Sequence, residues 1–244
     1  MPELMGRLQA LETEIRYREP PPTGMPEFAY IPGGLPILLS APHGAAHTRN
    51  GRVKGEDEYT SSFARLVAER SAAHVLYTHH QSLTDPNYDR HAPYKIFLKR
   101  LVKTAQIRFV LDIHGAAPHR DFGIALGTIH GRTCLPYQRR LIIETLATHG
   151  FKPGEPDLHR LDRLDIDQTF PGGEKQHTIT HYVSHHLGVS AAQFELNAYL
   201  RTLRALTDER DQLFRTDLAR LRRAIDAFVA LVQALAVTEE TPDC

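Results

Sequence analysis

The stretch that most constrains this chain is Phe109-Val110-Leu111-Asp112-Ile113-His114-Gly115-Ala116. A short apolar run ends in an acid, a histidine and two small residues. A buried strand delivers a metal ligand or a catalytic base to the open edge of an α/β sheet in this way. Two comparable stretches flank it: Ile37-Leu38-Leu39-Ser40-Ala41-Pro42-His43-Gly44 before, and Ala191-Ala192-Gln193-Phe194-Glu195-Leu196-Asn197 after. Three strand ends, each with a polar functional group, predict one convergent site.

The remaining pattern alternates strands with helices. Leu4, Leu8, Leu11 and Ile15 recur at helical spacing, and Pro20-Pro21-Pro22 stops that helix. Residues 20 to 27 read as a connector. After the Ile37 strand, Ala41 to Glu58 is rich in Gly, His, Arg and charge, which predicts a long functional loop. A helix follows from Thr60, a strand over His74 to Thr78, a polar turn over Asp85 to Arg90, and a helix carrying Ile96, Phe97, Leu101 and Val102. Beyond the central strand come a strand over Phe122 to Leu126, a helix that Gly150 closes, a polar stretch over 151 to 176 and a short helix over Thr178 to Leu187. A long closing helix carries Leu213, Leu218, Leu221, Ile225, Phe228, Val232 and Leu235. This order predicts a single α/β domain over residues 1–244, a three-layer sandwich around a mixed, mostly parallel sheet. Phe122 is expected to return antiparallel to the strand before it.

Composition narrows the function classes. A chain of 244 residues buries a full core without staples, and 41% hydrophobic with 24% charged residues is ordinary for a globular protein. A formal net charge of zero speaks against a dedicated nucleic-acid or anionic-membrane binder, although Arg215 to Arg223 forms a local basic run. The two cysteines, Cys134 and Cys244, do not suggest a disulfide framework. No stretch approaches the roughly 18 apolar residues of a membrane helix. Without an apolar leader, the expectation is a cytoplasmic protein. Fifteen histidines make any single one weak evidence, so position and neighbours must decide.

Position favours His43 and His114, each at a strand end, with Asp57 in Glu56-Asp57-Glu58 just before a helix. Two imidazoles and one carboxylate with an open position form the ligand set of a hydrolytic zinc site. The bland alternative is a pair of strand-end histidines bonded to backbone. Asp112 shares a strand side with His114, which suits a carboxylate that orients an imidazole or a structural cap. Glu195 sits in mid-strand between Phe194 and Leu196. A carboxylate there is costly unless it is paired or used, so it is either a general base beside a metal or half of a buried ion pair. Arg49, Arg120, Arg201 and the Asp85 to Arg90 loop are candidate anion-binding groups.

Taken in order, Ser40-Ala41-Pro42-His43-Gly44, Asp57-Glu58-Tyr59-Thr60, Asp85-Pro86-Asn87, Leu111-Asp112-Ile113-His114-Gly115 and Gln193-Phe194-Glu195-Leu196-Asn197 resemble the N-formylglutamate amidohydrolase family. That resemblance implies a zinc carboxypeptidase-like (phosphorylase/hydrolase-like) fold. It implies Zn2+ held by His43, a carboxylate matched to Asp57 with Glu56 and Glu58 adjacent in register, and His114. Glu195 would be the general base and Asp112 would stand behind the ligands. Asn87 matches an Asn-Arg pair suited to a substrate carboxylate. Tyr88 follows it here, so Arg90 or Arg120 would supply the cation, and Gly115 replaces the family's serine. The implied activity is hydrolysis of the amide bond of a small N-acyl or N-formyl amino acid such as N-formylglutamate, with no nucleic-acid or membrane partner. A zinc carboxypeptidase, a γ-glutamyl-polymer hydrolase and a non-catalytic binding protein on the same fold are the alternatives. The sequence carries no signal for oligomeric state.

Overall fold

A computed structural model describes residues 2–154, 157–173, 177–203 and 216–237. Its elements run in the order α1 (Pro2–Glu12), β1 (Phe28–Ile31), β2 (Ile37–Ala41), β3 (His47–Arg49), β4 (Arg52–Lys54), α2 (Thr60–Ser71), β5 (His74–Thr78), α3 (Pro93–Thr104) and β6 (Phe109–Ala116). There follow β7 (Ile124–Gly127), α4 (Pro136–Thr148), β8 (Lys152–Pro153), β9 (Arg163–Ile166), α5 (Ile179–His181), β10 (Ser190–Asn197) and α6 (Leu218–Val237). A π-helical turn over Tyr182–His186 extends α5.

Eight strands form one sheet in the order β1-β5-β2-β6-β10-β7-β9-β8. The central pairings β5-β2, β2-β6 and β6-β10 are parallel, whereas β1 joins β5 and β7 joins β10 antiparallel. The sheet is therefore mixed and mostly parallel, as the alternating pattern predicts. The strand after the central one, β7, runs antiparallel to β6 as expected, but it pairs with β10, which lies between them. The chain passes through β7, α4, β8, β9 and α5 before β10 takes the place beside β6, paired with it over all eight residues.

The period-two alternation along each central strand separates the layers. Phe109, Leu111 and Ile113 of β6 pack with Phe194 of β10, Phe63 of α2 and Phe228 of α6. Val110 and Ala191 face the opposite way, toward Leu98 of α3 and Ile179 and Val183 of the α5 segment. The helix α1 joins the first layer through Leu8 and Leu11. Position 213 lies outside the described residues, and α6 carries the remaining apolar residues of the closing helix from Leu218 on.

Three segments depart from the sequence reading. Phe28–Ile31 forms an edge strand directly after the proline-rich connector. The Ala41 to Glu58 loop contains the β3–β4 hairpin, turning at Asn50 (φ 51) and Gly51 (φ 71). The polar stretch beyond residue 151 supplies β8 and β9. Among the described residues no helix is long and apolar enough to cross a membrane.

Candidate metal centre and active site

Parallel strands place their carboxyl ends along one edge of the sheet, and loops leaving that edge carry the functional groups. His43 follows β2 by two residues. Its loop packs so closely on α2 that a Cβ at Gly44 would meet the Ser61 hydroxyl. His114 stands near the end of β6, opposite Glu195 of β10 in register. Asp112 lies opposite Gln193 by the same pairing. Asp112, His114, Gln193 and Glu195 therefore share the sheet face that Val110 and Ala191 present to α3 and α5. Asp57 arrives from a distance and is tied down locally: its N–H donates to the His43 carbonyl at 2.8 Å, and its own carbonyl accepts from Thr60 at the start of α2.

These segments bring His43, Asp57 and His114 together. One Asp57 oxygen, Oδ2, lies 3.2 Å from His114 Nδ1 and 3.8 Å from His43 Nδ1. The three donor atoms lie within 4.8 Å of one another. In a tetrahedral zinc site with bonds of about 2 Å, ligand atoms stand roughly 3.3 Å apart, so these separations already suit a small divalent cation.

The outer nitrogens of both imidazoles are occupied. His43 Nε2 is 2.9 Å from Asp85 Oδ1. His114 Nε2 is 3.2 Å from Asp112 Oδ1 and 3.1 Å from the Asn87 amide. The Asp85 carboxylate behind His43 holds a proton on Nε2 and leaves the Nδ1 lone pair for a metal; Asp112 stands behind His114 at ion-pair distance. Asp85 is fully buried and also accepts from Arg49 Nε at 2.5 Å and the Asn87 N–H at 2.8 Å, with His47 Nε2 at 3.4 Å. Asp112 Oδ2 accepts from the backbone and hydroxyl of Thr180.

The electrostatics match this donor set. Burial alone would raise the Asp57 carboxyl, yet the hydrogen bond from His114 and the charge of His43 hold it below the usual range. Burial also opposes the ionisation of Asp85, but its bonds to His43 and His47 keep it far below. Burial lowers His43 below the ordinary imidazole value, against the hydrogen bond to Asp85. Burial disfavours the charged His114 too, but Asp112 and Asp57 raise it well above the ordinary value. A cation held by His114 and Asp57 would take the place of the proton between Nδ1 and Oδ2, and its binding would release that proton. Four carboxyls, Asp57, Asp85, Asp112 and Glu195, crowd the centre, and Arg49 is in ion-pair contact with Asp85. That surplus of negative groups and imidazole lone pairs fits a divalent cation.

Glu195 is only 8% exposed, and burial pushes its carboxyl up to about 7 despite the hydrogen bond from Gln193 Nε2 at 2.8 Å. It lines a cleft of about 670 Å³ together with His43, Asp57, His114 and Asn87. Arg120 lines the same cleft, its guanidinium 5.3 Å from the centroid of the Phe170 ring. Other sequence candidates are placed elsewhere or otherwise engaged. Arg90 is not part of this lining, and its Nε donates to His177 Nε2 at 3.3 Å. Arg49 reaches the cleft but is bound to Asp85. The Arg201 guanidinium donates to the Glu58 and Ala116 carbonyls. It also fills the space over Gly115, where a Cβ would lie 2.5 Å from its Nε, so a serine there would displace Arg201. Glu56, an alternative to Asp57, pairs with Arg18. Asp85 is the functional group that sequence reasoning misplaced. It reads as part of an anion-binding turn, and no local pattern ties it to a histidine 42 residues away.

No family model matches the chain, and no curated protein matches it. Solved structures do. N-formylglutamate amidohydrolase from Ralstonia eutropha JMP134 superposes with a TM-score of 0.60 at 15% identity, covering 87% of this chain and 97% of that one. The gene product Atu2144 from Agrobacterium tumefaciens gives 0.51 at 12% identity over 86% and 95%. The cell shape determinant protein Csd4 (Gln46His variant) from Helicobacter pylori gives 0.50 at 14% identity, over 87% of this chain and 56% of its own. At these identities the likeness concerns architecture, and the chain has the three-layer α/β fold of the Ralstonia amidohydrolase.

Proposed function

We propose that this protein is a zinc-dependent amidohydrolase acting on a small N-acyl or N-formyl amino acid. The observation that carries the reading is the convergence of His43 Nδ1, Asp57 Oδ2 and His114 Nδ1 in a cleft that Glu195 also lines. A divalent cation held by those three residues would polarise the scissile carbonyl and acidify a water molecule. Glu195, poised near neutrality by its burial, takes the proton from the attacking water and returns it to the leaving nitrogen. Gln193 fixes the carboxylate through Oε1 and leaves the other oxygen for this exchange. Arg120, stacked on Phe170 in the cleft wall, meets the substrate's carboxylate or the developing oxyanion. Asn87 is engaged with His114 and Ile179, which favours an orienting role over direct substrate contact.

Metal analysis of the gently purified protein, followed by a hydrolysis screen, tests this. Stoichiometric zinc that His114→Ala abolishes, with turnover of formyl- or acyl-amino acids, is the expected result. Zinc content that His114→Ala leaves unchanged would sink the metal assignment. Intact zinc with no turnover would favour a binding protein on this fold. The cleft volume also accommodates a peptidyl substrate, so the screen includes peptides and γ-glutamyl oligomers.

A further inference from the structure

The helix α3 carries Lys95, whose side chain is fully buried. The proposed chemistry makes no use of it. A buried ammonium is strongly destabilising unless its hydrogens are satisfied. Lys95 Nζ donates to two backbone carbonyls, Asp89 at 3.1 Å and His177 at 2.5 Å, and lies 5.4 Å from the centroid of the Tyr182 ring. Its base is rigid. The neighbouring Tyr94 is buried in the α3–sheet core and donates to the Leu76 carbonyl, within reach of Ser40.

The two carbonyls belong to separate segments. Asp89 closes the turn that begins at Asp85, where the Asp85 N–H donates to the Asp89 carboxylate. That turn supplies Asp85 to His43 and Asn87 to His114. His177 directly precedes α5, whose first N–H groups go to Asn87 Oδ1 (Ile179, 3.0 Å) and Asp112 Oδ2 (Thr180, 3.3 Å). One ammonium therefore grips both segments that hold the partners of the two histidines.

We infer that Lys95 is a positioning residue for the cation site: its ammonium locks the 85–89 turn to the start of α5, and through Asp85, Asn87 and Asp112 it fixes the aim of both imidazoles. Lysine suits this task because its three N–H donors swivel on a compact head, so that one ammonium meets both carbonyls. An apolar replacement removes the donor from two half-buried carbonyls, and the turn and the helix start are free to separate. The inference rests on the reading that His43, Asp57 and His114 hold a divalent cation.

Zinc affinity, measured by competition with a chromophoric chelator, tests it in the wild-type chain, Lys95→Met and Lys95→Gln, with circular dichroism reporting the fold. Both variants are expected to keep the wild-type spectrum. Lys95→Met is expected to lose about tenfold to hundredfold in affinity, the size typical of a lost outer partner in a metal site. Lys95→Gln, which keeps two donors, is expected to recover part of that loss. Wild-type affinity in folded Lys95→Met would overturn the inference and leave the cation site standing. An equal loss in both variants would overturn the donor role, and failure of both to fold would overturn it as well, because a lock confined to the site edge leaves the core intact. A wild-type chain that binds no zinc would overturn the cation reading itself, and this inference with it.

Discussion

Two buried glutamates in this molecule look alike by every local measure and sit in opposite settings. Glu12 and Glu195 are each 8% exposed, and burial pushes each carboxyl up to about 7. Glu12, at the end of α1, is met by the Ser62 hydroxyl and by the Tyr59 N–H at 3.1 Å. Both of its oxygens are taken by donors from one loop and helix, so it is a structural acid joining α1 to α2. Glu195 has one side-chain donor, Gln193, and otherwise faces the cleft beside His114. A perturbed acid alone does not mark an active site, since structural networks perturb pKa values too. What separates the two is a face directed at His43, Asp57 and His114, the groups proposed to hold a cation.

The largest expected effect tests the open acid. Glu195→Gln removes the proton acceptor and preserves shape, and turnover of the substrate found by screening is expected to fall by about 10²- to 10⁴-fold. Zinc content is expected to stay intact, because the three proposed ligands are untouched. The same substitution removes a charge whose burial is unfavourable, so the metal-free variant is expected to melt above wild type at pH 8. Undiminished turnover would make Glu195 a second Glu12 and erase the distinction.

The next effect tests the closed acid. The folded-state pKa of Glu12, about 7, lies above its ordinary value of 4.5, so the folded protein holds this proton more tightly than the unfolded chain. The stabilisation from protonated Glu12 is complete below pH 4.5 and is lost as pH rises through 7. Its size is on the order of 3 kcal/mol. Chemical denaturation from pH 4 to 8 is expected to show that decline in wild type and a flatter profile in Glu12→Gln, with zinc affinity retained. Loss of zinc affinity in Glu12→Gln would mean that the α1–α2 junction belongs to the site after all.

The sequence displayed one half of this contrast better than the other. Glu195, His114 and Asp112 are legible because alternation on a strand fixes which residues share a face, and β6 and β10 lie where that alternation puts them. His43 is legible as a strand end. Asp57 needs the helix behind it and the ordered family blocks; Glu56 and Glu58 compete with it in sequence, and in the fold Glu56 is engaged by Arg18. The β3–β4 hairpin had a local signal, Asn50-Gly51, obscured by the charged residues around it. The edge strand β1 and the short β9 owe their pairing to neighbours far along the chain, and β8 in turn joins β9; four or fewer residues carry too little pattern to announce it. Glu12 lies within a run otherwise recognisable as an amphipathic helix. Its burial depends on Ser62 and Tyr59, some 50 residues away, and no spacing rule reaches that far.

Asp85 gives the smallest effect and sharpens the contrast from a third side. It is more buried than either glutamate, yet its donors hold it ionised: His43, Arg49 and the Asn87 N–H, with His47 close by. Burial alone therefore does not set the state of an acid here; the number of donors does. If Asp85 acts by holding the Nε2 proton of His43, Asp85→Asn keeps the shape, weakens that hold and lowers zinc affinity by about tenfold to hundredfold. Chelator competition at several pH values reads the change. Arg49→Ala leaves the His43–Asp85 contact in place and is expected to cost less. The reverse order would assign the anchoring of Asp85, and so the aim of His43, to the hairpin arginine rather than to the imidazole–carboxylate pair.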